Sequence, residues 1–173
     1  TRQIEKQIAE EIARAEAEAR AAEAKRKKTN QPAKAGEERV AETKGGYAMT
    51  RAERELSGSF VNNKGRLPYP VTGCHMVVGT FGEQQHQELK YVRTNNSGID
   101  LRTNAGADAR AVFKGVVTRV FVVPGYNNSV IVRHGNYLTV YSNLSQVYVK
   151  AGDQVNTRQA LGRIFSDPAD GTP

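Results

Sequence analysis

Residues 125–144 read Gly125-Tyr126-Asn127-Asn128-Ser129-Val130-Ile131-Val132-Arg133-His134-Gly135-Asn136-Tyr137-Leu138-Thr139-Val140-Tyr141-Ser142-Asn143-Leu144. Two runs rich in β-branched and aromatic residues flank a Gly-Asn pair. Such residues fit the pleated, half-buried surface of a strand. A turn-forming pair between two alternating runs favours a tight hairpin. Outward from this stretch the same period of two continues. Met76-Val77-Val78, Ala111-Val112-Phe113, Val116 to Val123 and Val147-Tyr148-Val149 are further short runs. Turn residues separate them at Asn63-Lys64-Gly65, Gly106, Gly115, Gly125 to Asn128, Gly135-Asn136 and Gly152-Asp153. A turn roughly every eight to twelve residues predicts a mainly β sandwich or barrel from Phe60 onward. Strands do not alternate with helices, which sets aside a nucleotide-binding α/β fold.

Upstream the period changes. Residues 2–28 consist largely of Ala, Glu, Lys, Arg, Gln and Ile, mostly strong helix formers. Ile4, Ile8, Ile12, Ala15, Ala19 and Ala22 form one helical stripe, close to a coiled-coil seam that weakens from Ile to Ala. This predicts the end of a coiled-coil helix over 1–28, in need of a partner surface. Residues 29–46 carry Pro, Gly and charge and predict a linker. Thr50 and Glu53 have capping-box spacing for a short helix with Leu56 facing inward, ended by Ser57-Gly58. The expected organisation is a coiled-coil end over 1–28, a linker with a capped helix over 29–58, and a β domain over 59–173. The chain starts at Thr1 and reads as a piece of a longer product.

Composition narrows the chemistry. The 173 residues carry 25 basic and 18 acidic side chains, a net charge of +7, with one cysteine and three histidines. No apolar run approaches the ~18 residues of a membrane-spanning helix. Cys74 alone makes neither an intrachain disulfide nor a cysteine zinc cluster. Residues 1–60 hold 13 basic and 11 acidic groups, and residues 61–173 hold 12 and 7. The excess is therefore spread out. The one basic run, Lys25 to Lys28, closes the helical stretch, where cations are favoured by the negative end of the helix dipole. Basic clusters interleaved with stacking aromatics are missing, so nucleic acid is not expected as a partner. G-x-S-x-G, Walker A, H-E-x-x-H and calcium-loop motifs are absent. Cys74 and His75 would point to opposite faces of a strand and cannot act as a pair.

One ordered series remains. It begins with Lys64-Gly65-Arg66-Leu67-Pro68-Tyr69-Pro70-Val71 and Phe81-Gly82, and continues through Asn95-Asn96-Ser97-Gly98-Ile99-Asp100-Leu101. Next come Gly125-Tyr126 through His134-Gly135, Tyr141-Ser142-Asn143-Leu144 and Val149 to Val155. Over about residues 60–166 this series resembles the lysostaphin-type, LytM-like zinc metallopeptidase domain, a β fold of the duplicated-hybrid-motif type that cuts peptidoglycan. The resemblance implies zinc ligands at the His and Asp of H-x-G-x-D, and a catalytic histidine in Tyr-x-His-Leu. Here those histidine positions hold Asn96 and Asn143, while Asp100 is kept. An amide is a poor zinc ligand and has no titratable nitrogen near neutral pH. The family's final H-x-H would fall beyond Pro173. His134 belongs to the hairpin turn in this family, away from the metal.

A degenerate domain of this kind behind a coiled coil is similar to the murein hydrolase activators of the EnvC type, as is Phe81-Gly82-Glu83-Gln84-Gln85 through Lys90. That resemblance implies a non-enzyme without cofactor that binds and activates a cell-wall amidase. The coiled coil would engage a membrane transporter-like division complex near peptidoglycan, in the periplasm. Asn96, Ser97 and Asp100 would floor the partner-binding groove, with Asn143 and Tyr141 beside them and Tyr126 at the rim. For Tyr141 a core position is favoured over contact; Asp100 and Tyr126 divide evenly between groove and turn roles. Two alternatives stay open. One is an active zinc endopeptidase of peptidoglycan. The other is a periplasmic adaptor, since Val149 to Val155 and Gln159-Ala160-Leu161-Gly162 also resemble a lipoyl-like half-motif.

Overall fold

The computed structural model describes residues 6–14, 17, 21, 40–41, 48–49, 51–85, 93–124 and 127–166. Residues 6–14 form helix α1. Two short strands, β1 (Val40–Ala41) and β2 (Ala48–Met49), pair antiparallel ahead of α2 (Arg51–Asn62). Ten further strands follow: β3 (His75–Gly79), β4 (Gly82–Gln85), β5 (Arg93–Asn96), β6 (Asp100–Thr103), β7 (Asp108–Arg110), β8 (Gly115–Val122), β9 (Asn128–His134), β10 (Tyr137–Val147), β11 (Gln154–Val155) and β12 (Ala160–Ile164). The chain is mainly β, as the alternation predicts, and its largest sheet curls into half a barrel.

That sheet has six antiparallel strands in the order β11-β8-β9-β10-β12-β7. Its centre is the hairpin of β9 and β10. Tyr137 pairs with His134, and the hairpin turns at Gly135, whose φ of 74° suits glycine. Val130 and Val132 alternate onto one face of β9 and are fully buried there with Val117, Leu144 and Leu161. Each such side chain contributes about 1.5–3 kcal/mol through removal from water. Two smaller sheets, β3-β6 and β4-β5, carry the segment from His75 to Thr103. Met76, Val77 and Val78 of β3 are all exposed.

Four expectations are corrected. Helix α2 does not stop at Ser57-Gly58 but runs to Asn62, so the boundary drawn at 58/59 falls inside it. Glycine in a helix costs roughly 1 kcal/mol. Phe60, one half-turn on, offsets that by stacking on His134 (centroids 5.0 Å apart) and Tyr137 (5.2 Å), with Phe113 at its edge (5.6 Å). Ala111-Val112-Phe113 is a connector rather than a strand, and Tyr148-Val149 lies past the end of β10. Gly115 opens β8 instead of making a turn. A Cβ there would meet His134 Nδ1 at 2.6 Å, so the glycine admits the imidazole. Leu56 is half-buried, while Thr50 and residues 29–39 lie outside the described residues.

On α1, Gln7, Ile8, Glu11 and Ile12 form the buried or half-buried face. Glu10 pairs with Arg119 of β8 at 3.2 Å. Lys6 and Gln7 line a shallow cleft with Phe121 to Pro124 at the end of the same strand. Ile4, Ala15, Ala19 and Ala22 of the expected stripe lie outside the described residues.

Candidate functional site

Asn96 ends β5 and Asp100 opens β6. The tight connection between them brings their side chains together. Asn96 Nδ2 donates to Asp100 Oδ2 at 2.8 Å, and Asn96 Oδ1 accepts from the Gly98 backbone N–H at 3.1 Å. The second contact is an Asx turn, the local bond that makes asparagine a turn former. Asp100 faces Gly79 across the β3-β6 pair, and a Cβ at Gly79 would collide with its carboxylate. Ser97 lies exposed within the connection. Three of the six expected groove positions thus share one small cluster.

Asn143 sits on a bulge of β10. The β9–β10 register shifts between Tyr141 and Leu144. Asn143 adopts a left-handed φ of 63°, a conformation asparagine tolerates better than most residues. Its Oδ1 accepts from Asn127 Nδ2 at 2.8 Å, and its carbonyl accepts from Phe165 N–H at 2.9 Å. No hydrogen bond joins Asn143 to Asn96 or Asp100 among the described residues. Tyr126 lies outside the described residues.

Tyr141 is a core residue, 7% exposed. Its hydroxyl accepts from the Val112 N–H at 3.0 Å and meets Thr139 Oγ1 at 3.2 Å. Thr139 Oγ1 lies 2.9 Å from His134 Nε2, and His134 Nδ1 lies 2.7 Å from the Lys114 carbonyl. A carbonyl only accepts, so Nδ1 carries the proton. Burial lowers the His134 pKa, against the Lys114 contact that raises it. The ring is therefore neutral and Nε2 needs a donor. The Thr139 proton goes there, and the Tyr141 hydroxyl donates to Thr139. Burial likewise raises the Tyr141 pKa. This closed chain fastens the first half of β10 beneath the bulge.

Among the described residues the cluster supplies one of the zinc ligands that the family resemblance implies. Asn96 and Asp100 offer one carboxylate, already bonded to an amide whose own oxygen is engaged. Among the described residues no three His, Cys, Asp or Glu side chains gather as a metal-binding group. Gly79, Asn127 and Thr139 are the positions the sequence left unread. An Asn-Asn pair in a turn was the available signal for Asn127, because asparagine is enriched where φ is positive.

Residues 94–172 match the family model "Peptidase family M23". The chain is 28% identical over 165 residues to the murein hydrolase activator EnvC of Escherichia coli strain K12, covering 93% of this chain and 36% of EnvC. It is 32% identical over 96 residues to the peptidoglycan DD-endopeptidase ShyA of Vibrio cholerae, covering 54% of this chain and 22% of ShyA. It is 29% identical over 119 residues to the cell division protein DipM of Caulobacter vibrioides, covering 68% of this chain and 17% of DipM. At most 36% of the length of these relatives is spanned. The family match over residues 94–172 and the half-barrel sheet together make the β part of this chain similar to the LytM-like domains of peptidase family M23.

Proposed function

We propose that this chain is a non-catalytic activator of a peptidoglycan amidase, acting in cell division outside the cytoplasm. The observation that carries the reading is the pair of asparagines at the family's histidine positions. Asn96 spends both ends of its amide on Asp100 and Gly98, which ties up the cluster as a hydrogen-bonded surface. A surface of fixed donors and acceptors beside a sheet suits an extended or helical partner segment. The similarity to EnvC over 93% of the chain supports the same role. On this reading Asn96, Ser97, Asp100, Asn143 and Tyr126 contact the amidase, and Tyr141 supports them from below. On the same reading residues 1–28 form the end of a coiled coil that engages a membrane division complex, and the segment from residue 29 to the end of α2 at Asn62 links it to the β domain. No described helix is long and apolar enough to cross a membrane.

The similarity to ShyA keeps a peptidoglycan endopeptidase as the competing reading. Purified full chain is expected to stimulate a cognate amidase on peptidoglycan, to release no peptide by itself, and to hold no stoichiometric zinc. One tightly bound zinc per chain, with peptide release, establishes the endopeptidase instead.

A further inference from the structure

We propose that Asn127 is a positioning residue that makes Asn143 a hydrogen-bond donor toward a carbonyl-type acceptor on the bound partner. The proposal rests on the reading of this surface as an amidase-binding groove. Asn127 Nδ2 donates to Asn143 Oδ1 at 2.8 Å, so that oxygen is taken. Asn143 Nδ2 has no partner among the described residues, and the side chain is only half-buried. What Asn143 shows to the outside is therefore its N–H edge.

The main chain around it is already fixed. Phe165 N–H holds the Asn143 carbonyl at 2.9 Å. Asn128 Nδ2 donates to the Leu144 carbonyl at 2.9 Å, and Ser129 Oγ meets Ser142 Oγ at 3.1 Å. The freedom left to Asn143 is rotation of its amide, and Asn127 removes it. Both residues are left-handed, with φ of 52° at Asn127 and 63° at Asn143. Such conformations persist where surrounding contacts over-determine them, and they gather at functional surfaces. Asn127 is also suited to a clean test. Glycine adopts a φ of 52° without strain, so Asn127→Gly deletes the amide and spares the turn.

The test uses the full chain and its Asn127→Gly, Asn127→Asp, Asn143→Gly and Asn127→Gly/Asn143→Gly variants. Three quantities are read: melting temperature, the Asn143 side-chain amide resonances by NMR, and affinity for the amidase that the wild type stimulates. Asn127→Gly is expected to shift the Asn143 amide resonances and to weaken amidase binding about five-fold, the worth of one neutral hydrogen bond. Asn127→Asp is expected to weaken it further, because a carboxylate accepts from Asn143 Nδ2 and withdraws the donor. The double variant is expected to bind no worse than Asn143→Gly alone. Unchanged Asn143 resonances in Asn127→Gly overturn the proposal whatever the amidase does. So does normal binding by Asn127→Gly when Asn143→Gly is impaired, and that result leaves the activator reading intact. Failure of the wild type to bind any amidase removes the activator reading, and with it the partner acceptor, while the NMR comparison still decides whether Asn127 holds Asn143.

Discussion

His134 shows how one buried side chain sets a pH response. It is fully buried, and the groups it touches are the rings of Phe60 and Phe113, the Thr139 hydroxyl and the Lys114 carbonyl. Its pKa is lowered from the ordinary 6.5 by burial. As pH falls, the unfolded chain takes up the proton before the folded one does. Stability from this group is therefore full above about pH 6.5 and is lost as pH falls through the folded value. The urea midpoint is expected to drop between pH 7 and pH 5, and His134→Gln is expected to flatten that slope whatever it does to the midpoint itself. An equal slope in the variant would show that another group is responsible. At the same scale, Leu144→Ala is expected to cost about 2–5 kcal/mol by urea titration, because Leu144 is fully buried in the central cluster.

At the scale of elements, α2 is anchored by Phe60 more than by helix propensity. Phe60→Ala is expected to cost about 2 kcal/mol, less than a full core aromatic because Phe60 is half-buried. Gly58→Ala is expected to stabilise the fold by up to ~1 kcal/mol, since a Cβ at Gly58 meets nothing within 4 Å. A lower urea midpoint for Gly58→Ala would contradict this. The sequence showed β8, β9 and β10 clearly, because each has a buried face with period two. It misread Ala111 to Phe113 for a physical reason. Ala111 N–H bonds the Gln159 carbonyl at 2.9 Å, its carbonyl takes Arg158 N–H at 2.7 Å, and Val112 N–H goes to the Tyr141 hydroxyl. Those groups are satisfied by a loop and a side chain, which no local pattern announces. It also stopped α2 too early, because the stacking that carries the helix past Gly58 comes from residues more than fifty positions away.

At the scale of the molecule, the site was only half legible. Asn96 and Asp100 lie four residues apart, and a short connection suffices to bring them together. Asn127 and Asn143 lie sixteen apart and meet through a bulge whose existence no spacing reveals. The same contrast between planned and unplanned contact runs through the sheets. The outermost strands of the large sheet are β7, of three residues, and β11, of two. Such short edges offer little template for another chain. β3 differs: it has five residues, pairs with β6 in a two-stranded sheet, and exposes Met76, Val77 and Val78 in succession. This strand is thus the edge expected to govern self-association of the chain. Light scattering at rising protein concentration is expected to show self-association that Val77→Lys suppresses, whereas a lysine at Gln154 on β11 leaves it unchanged.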